Sequence, residues 1–83
     1  MVQLKPVQGS KQVKAYGYDA TSGVLAVQFV NTPGVVYHYR DVPADVAKAF
    51  DAAESKGSAM ATMIRGKFDF NRIEVGEPAD AEG

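Results

Sequence analysis

Apolar and polar residues alternate along two stretches in the first half of the chain, then fall into a helical spacing in the second. Leu25, Val27 and Phe29 alternate with Ala26, Gln28 and Val30, and Val35, Tyr37 and Tyr39 alternate with Val36, His38 and Arg40. A period of two over β-branched and aromatic residues predicts two strands. Between them Asn31-Thr32-Pro33-Gly34 predicts the reversing turn, because Pro fixes φ and Gly accepts a positive φ. Upstream, Val13-Lys14-Ala15-Tyr16-Gly17-Tyr18 predicts a third strand, joined through the loop Asp19-Ala20-Thr21-Ser22-Gly23. Three consecutive strands with short loops make an antiparallel meander.

The period changes at Asp41-Val42-Pro43. Val42, kept out of the helical region by the following Pro, is the expected N-cap, with Pro43 at N1 and Asp45 near the positive end of the helix dipole. Val46, Ala49, Phe50 and Ala53 then recur at i, i+3, i+4 and i+7, an apolar stripe, with Asp45, Lys48, Asp51 and Glu54 on the other faces. Ser55-Lys56-Gly57 is expected to end this helix, Gly57 suiting a left-handed cap. A shorter helix is expected from Ser58, presenting Met60, Met63 and Ile64 until Gly66 stops it. Phe68-Asp69-Phe70 reads as an extended segment with two rings on one side, leaving room for a short final strand. The expected class is α+β: a three-stranded antiparallel β-meander followed by two C-terminal helices packed on one face.

Charge divides the chain further. The whole sequence of 83 residues carries a net charge of −1, yet its last ten residues hold Glu74, Glu77, Asp80 and Glu82 without a base, leaving +3 on the rest. A segment this acidic and this poor in apolar residues cannot offset the entropy of ordering it, so residues 76–83 are expected to form a disordered acidic tail. Residues 1–11, with Pro6, Gly9 and Ser10, are expected to form a flexible arm, and residues 12–75 the folded unit.

Composition narrows the chemistry. Without Cys there is no disulfide or thiolate zinc site, and a single His argues against a His-ligated metal, so neither metal nor cofactor is expected. No apolar run approaches the roughly 20 residues of a membrane span, and Met1-Val2-Gln3-Leu4-Lys5-Pro6 lacks a secretory pattern. A cytoplasmic domain without membrane contact is the expectation. His38 could serve as a base, but nothing nominates a nucleophile or an orienting group for it. Ser10, Ser22, Ser55 and Ser58 fall in loops or caps, where Ser has structural reasons to be. The chain is therefore expected not to be an enzyme.

Binding is the class that remains. Lys56, Arg65, Lys67 and Arg72 gather in the C-terminal third of the folded unit, and Arg40 ends the third strand. Phe68 and Phe70 lie among them, with bends at Gly57 and Gly66. Basic groups beside aromatic rings can hold a phosphate backbone and stack bases. Tyr37 and Tyr39 share one strand face, with His38 on the other. On that face they complete the core opposite Leu25, Val27 and Phe29, although an aromatic platform for bases has the same pattern.

Tyr16-Gly17-Tyr18-Asp19, Leu25-Ala26-Val27-Gln28-Phe29, Val36-Tyr37-His38-Tyr39-Arg40-Asp41-Val42-Pro43, Ala53-Glu54-Ser55-Lys56-Gly57 and Ile64-Arg65-Gly66-Lys67-Phe68 follow one another in unbroken order. In this combination the sequence resembles the KTSC domain family. The family's central Tyr-x-Tyr is matched by Tyr37-His38-Tyr39 and its Val-Pro helix start by Val42-Pro43. Its Ser-x-Gly bend is matched by Ser55-Lys56-Gly57 and its Ile-Arg step by Ile64-Arg65. The family is named for its place at the C-terminus of some lysyl-tRNA synthetases, and it also stands alone as small bacterial and phage proteins. That context implies RNA binding. This chain departs from the family pattern with Met60-Ala61 where an aromatic ring and Asn are usual, and with Phe68-Asp69-Phe70 where Tyr-Pro-Tyr is frequent. Losing an amide and two hydroxyls removes groups that could read base edges, so the resemblance implies binding through charge and stacking with little sequence selectivity. The alternative is a small protein-interaction factor, of the kind phages encode, that docks on a host or cellular protein. An acidic tail beside a positively charged body suits that role.

Overall fold

The computed structural model describes residues 4–74, so the expected acidic tail lies outside the described residues. The class is α+β, but the sheet has five strands where the periodicity predicts three. β1 (Lys5–Pro6), β2 (Val13–Asp19), β3 (Val24–Phe29), β4 (Thr32–Tyr39) and β5 (Phe70–Glu74) lie side by side in sequence order, each antiparallel to its neighbour. Between β4 and β5 the chain leaves the sheet to form α1 (Ala44–Ala52) and α2 (Lys56–Ala59), and α2 runs straight on into a π-helical turn, Met60–Ile64. Of the two further strands, β5 falls where the sequence leaves room for a short final strand and β1 is unanticipated, and neither has a periodic signal. β1 is two residues long, and every residue of β5 is exposed. Part of the segment expected as a flexible arm is thus paired to the sheet, Lys5 opposite Tyr16 and Pro6 opposite Ala15.

The expected turn at Thr32-Pro33-Gly34 is also corrected. The chain reverses at Val30–Asn31, and Thr32 already pairs with Phe29. The next rung joins Gln28 to Val36, so Pro33, Gly34 and Val35 bulge out of the ladder. A strand can hold Pro there because a bulged residue owes its neighbour no N–H.

One face of the sheet carries the core. Register puts Tyr16 beside Val27, Val27 beside Tyr37, and Leu25 beside both Tyr18 and Tyr39. Over these residues sit Val42, Ala47, Phe50, Ala59, Met60 and Ile64, with Phe50 and Ile64 completely buried. The Tyr16 ring meets Phe50 edge-on at 5.1 Å between centroids. Residues of the opposite parity, among them Ala26, Gln28, Val36 and His38, take the other face.

The helices match the reading in number and differ at their ends. Pro43 is itself the N-cap, extended at φ −65° and ψ 153°, one residue later than expected. Ala47 replaces Ala49 on the buried side, because the sheet lies against the Val46–Ala47–Phe50 edge of the helix, and Ala49 is exposed. Ser55-Lys56-Gly57 begins the second helix rather than ending the first. Ser55 is the N-cap, its hydroxyl oxygen accepting the Ser58 N–H at 3.3 Å. Gly57 has no left-handed backbone. A β-carbon there would lie 2.0 Å from Gln12 Oε1, so its role is to admit the Gln12 side chain. Gly66, at φ +78°, is the left-handed residue that stops the helical segment as expected.

Candidate nucleic-acid interface

The Tyr37-His38-Tyr39 segment runs through β4 with its two tyrosines on the helix-bearing face. Tyr39 is only 4% exposed and belongs to the core, whereas Tyr37 is half-buried at the core's margin. Their rings lie nearly parallel, 6.4 Å apart at an interplanar angle of 22°. β5 pairs Phe70 with Tyr39 and Arg72 with Tyr37, which sets Phe70 and Arg72 on this same face. The Phe70 ring is 5.3 Å from both tyrosine rings, and Phe29 closes on Tyr37 from the other side at 5.3 Å. Phe70 nevertheless stays 48% exposed, so the cluster presents an open aromatic surface rather than a sealed core.

A groove of about 560 Å³ opens over these rings, lined by Phe29, Tyr37, Tyr39, Phe70, Arg65 and the polar residues Gln12, Asn31 and Thr32. Arg65 enters it from the end of the π-helical turn, where its N–H donates to the Met60 carbonyl at 2.7 Å. Burial pushes the Tyr39 hydroxyl pKa up, while the nearby Arg65 guanidinium works in the opposite direction. A guanidinium beside four rings, on a face open to solvent, can neutralise a phosphate and leave a planar base a surface to stack on.

The five basic residues expected to act together are only partly assembled. Arg65 lines the groove, and Arg72 adjoins it through its register with Tyr37. Arg40 follows Tyr39 just beyond the end of β4, is not among the residues lining the groove, and pairs loosely with Asp69, 3.9 Å away. Lys67 is exposed in the turn after the helical segment, its N–H given to the Ile64 carbonyl. Lys56 sits elsewhere, with its ammonium 2.9 Å from the Asp51 carbonyl oxygen and 2.6 Å from that of Ala53, above the Tyr16 and Phe50 rings. Its neighbours there form a network of their own, with the Tyr16 hydroxyl donating to the Asp51 carboxylate and Lys5 paired to it at 3.2 Å.

The motif residues divide in a similar way. Val42 and Ile64 are core, Pro43 and Ser55 are helix caps, and Gly57 makes room for Gln12. His38 points to the opposite sheet face, away from the groove. Phe29 is the groove residue that sequence reasoning assigned to the core alone. Its alternation with Tyr37 on facing strands signals a shared face, although not an opening above it. Among the described residues no group of three or more His, Asp or Glu could hold a metal ion, and no helix is long and apolar enough to cross a membrane.

Comparison with known proteins bears on the family and the fold. The family model for the KTSC domain matches residues 9–68, a span that holds β2 to β4, both helices and Arg65. The chain belongs to the KTSC domain family. A KTSC domain protein from Yersinia pestis, known from a crystal structure, superposes with a TM-score of 0.80 at 33% identity, over 88% of this chain and 99% of that one. A protein of Tsukamurella paurometabola is 35% identical over 65 residues, 78% of this chain and 92% of the relative. The family match ends before β5, so Phe70 and Arg72 lie outside the matched span.

Proposed function

We propose that this KTSC domain is a small non-enzymatic module that binds single-stranded RNA in the Arg65 groove. The observation that carries this reading is the convergence of Arg65 with Phe29, Tyr37, Tyr39 and Phe70 on one open surface. The rings offer π-faces to any base, and Arg65 with Arg72 offers charge to the backbone between bases. Four of the eight residues that line the groove are aromatic, which favours stacking as the main source of affinity, with Gln12, Asn31 and Thr32 at hand for polar contacts beside the rings.

Fluorescence anisotropy with short single-stranded oligoribonucleotides tests the proposal. Two arginines on two phosphates give a slope of about −1.4 for log affinity against log salt concentration. Phe70→Ala should weaken binding about tenfold, since stacking on an aromatic side chain contributes roughly 1–3 kcal/mol per base. Arg65→Gln should weaken it and flatten the salt slope by about 0.7. The reading fails if the parent shows no binding at low salt, or if binding ignores both substitutions. A partner protein retained after nuclease treatment, with contacts mapping to this groove, would transfer the site to protein recognition.

A further inference from the structure

The two edges of the sheet are finished differently. β1 is two residues long and ends in Pro6, which has no N–H to offer, so that edge is blunted against further pairing. β5 has neither device. Its five residues pair with β4 in unbroken register from Val35 opposite Glu74 to Tyr39 opposite Phe70, and all five are exposed.

Backbone geometry shows which groups this edge presents. The Arg40 N–H donates to the Asp69 carbonyl at 2.8 Å, so residues 40 and 69 form a hydrogen-bonded pair. Such pairs recur at every second residue of an antiparallel ladder, which turns the N–H and C=O of Asn71 and Ile73 toward β4. Phe70, Arg72 and Glu74 therefore turn theirs outward. The side chains of Phe70, Arg72 and Glu74 stand on the helix-bearing face, and those of Asn71 and Ile73 on the other.

We propose that β5 pairs antiparallel with β5 of a second copy of this chain, across a two-fold axis through Ile73. The charges along the strand select this occupant and this register. An axis through Arg72 would set two guanidinium groups against each other. An axis through Asn71 would set Ile73 against Asp69 of the other copy. With the axis through Ile73, Arg72 of each copy faces Glu74 of the other, as two hydrogen-bonded rungs related by symmetry. Ile73, 39% exposed in the single chain, meets its own counterpart at the centre in the closely spaced, non-hydrogen-bonded position. The strand is complementary to itself in backbone, charge and apolar contact. Because the axis is perpendicular to the sheet, both aromatic grooves open on the same side of the joined sheet.

Sedimentation equilibrium of the full chain tests the proposal. The parent should move from 8.9 kDa toward twice that mass as its concentration approaches about 1 mM, since a contact this small gives a weak dimer. Arg72→Glu sets Glu against Glu, and Glu74→Arg sets Arg against Arg. Each alone should weaken association roughly tenfold, as two cross-strand pairs change from attraction to repulsion. An equimolar mixture of the two variants should recover association, because both rungs of the mixed pair are again opposite in charge. Recovery on mixing also shows that each variant is folded. A parent that stays monomeric at about 1 mM overturns the proposal and leaves the edge to a strand from another protein. Single variants that associate like the parent, or a mixture that does not recover, overturn it equally.

Discussion

The ammonium of Lys56 donates to the carbonyl oxygen of Ala53 at 2.6 Å, holding the first residue of α2 against the residue that ends α1. A second hydrogen bond reaches the Asp51 carbonyl at 2.9 Å, so one side chain satisfies two carbonyls that the helix end leaves unpaired. The same cation lies 5.6 Å from the Tyr16 ring centroid and 5.8 Å from that of Phe50. Lys56→Met keeps most of the side-chain bulk and removes the donors. It should lower stability by about 1–2 kcal/mol in urea denaturation, since it removes charge-assisted bonds at a helix C-terminus. The same variant should bind oligoribonucleotides with the parent's salt slope, in contrast to Arg65→Gln.

Tyr16 and Asp51 give the fold a pH dependence at both ends of the scale. Burial, then the hydrogen bond to Asp51, pushes the Tyr16 hydroxyl from 10.0 up to about 12. A group raised in the folded state contributes stability that is complete below its unfolded pKa and is lost as pH climbs through the folded one. Stability should therefore decline between about pH 10 and 12, and Tyr16→Phe should remove this part of the decline. The Asp51 carboxyl is held below its ordinary range, chiefly by the Tyr16 hydroxyl and then by Lys5. Its contribution is present above the ordinary carboxylate pKa and fades as pH falls through the lowered value. Thermal melts of the parent, Tyr16→Phe and Asp51→Asn across the full range separate the two limbs.

Burial predicts unequal roles for the two tyrosines of β4. Tyr39→Ala opens a cavity beneath Met60 and Ile64 and should cost on the order of 3 kcal/mol, while Tyr39→Phe should be milder. Tyr37→Ala, at the half-buried margin, should cost less stability and weaken oligoribonucleotide binding more. Denaturation and anisotropy measured on the same preparations check this. Equal losses of stability with unchanged binding would remove Tyr37 from the site.

Asp41 is the non-glycine residue with positive φ, 58°, among the described residues. It lies between the end of β4 and Val42, whose N–H is anchored to the Gly23 carbonyl at 2.9 Å. A left-handed backbone strains a side chain that glycine would not carry. Asp41→Gly should therefore stabilise the domain by about 0.5–1 kcal/mol, visible as a shift of the urea midpoint at unchanged m-value.

What could be read from the chain followed the strength of each local signal. Leu25, Val27 and Phe29, and the Val46-to-Phe50 spacing, lie where a core faces them, and their periods predict strand and helix correctly. Pro33-Gly34 has strong turn chemistry and still does not turn, because pairing of Thr32 with Phe29 already closes the hairpin and the bulge absorbs the proline. Gly57 carried the signal of a cap, but its small size serves a contact with Gln12, 45 residues earlier, which local sequence cannot reveal. The aromatic residues of the groove were legible one by one. That Arg65 joins them while Lys56 turns back onto α1 depends on which side of the helical segment each side chain leaves, a matter of tertiary packing.

Sheet order matches chain order from first strand to last, and this fixes how the domain is assembled in time. β2, β3 and β4 close through short loops, so their contacts cost little chain entropy and can form early. The rung between Tyr39 and Phe70 instead spans both helices, a closure of more than 30 residues made while α1, α2 and the π-helical turn are being laid onto the sheet. β5 is consequently the natural last step of folding and the first to open. Its amide hydrogens at Asn71 and Ile73 should exchange with solvent well ahead of those in β3, reporting local opening below the free energy of global unfolding. The strand that supplies Phe70 to the groove and sets Arg72 beside it is thus the part of the sheet that a ligand would most strongly slow in exchange.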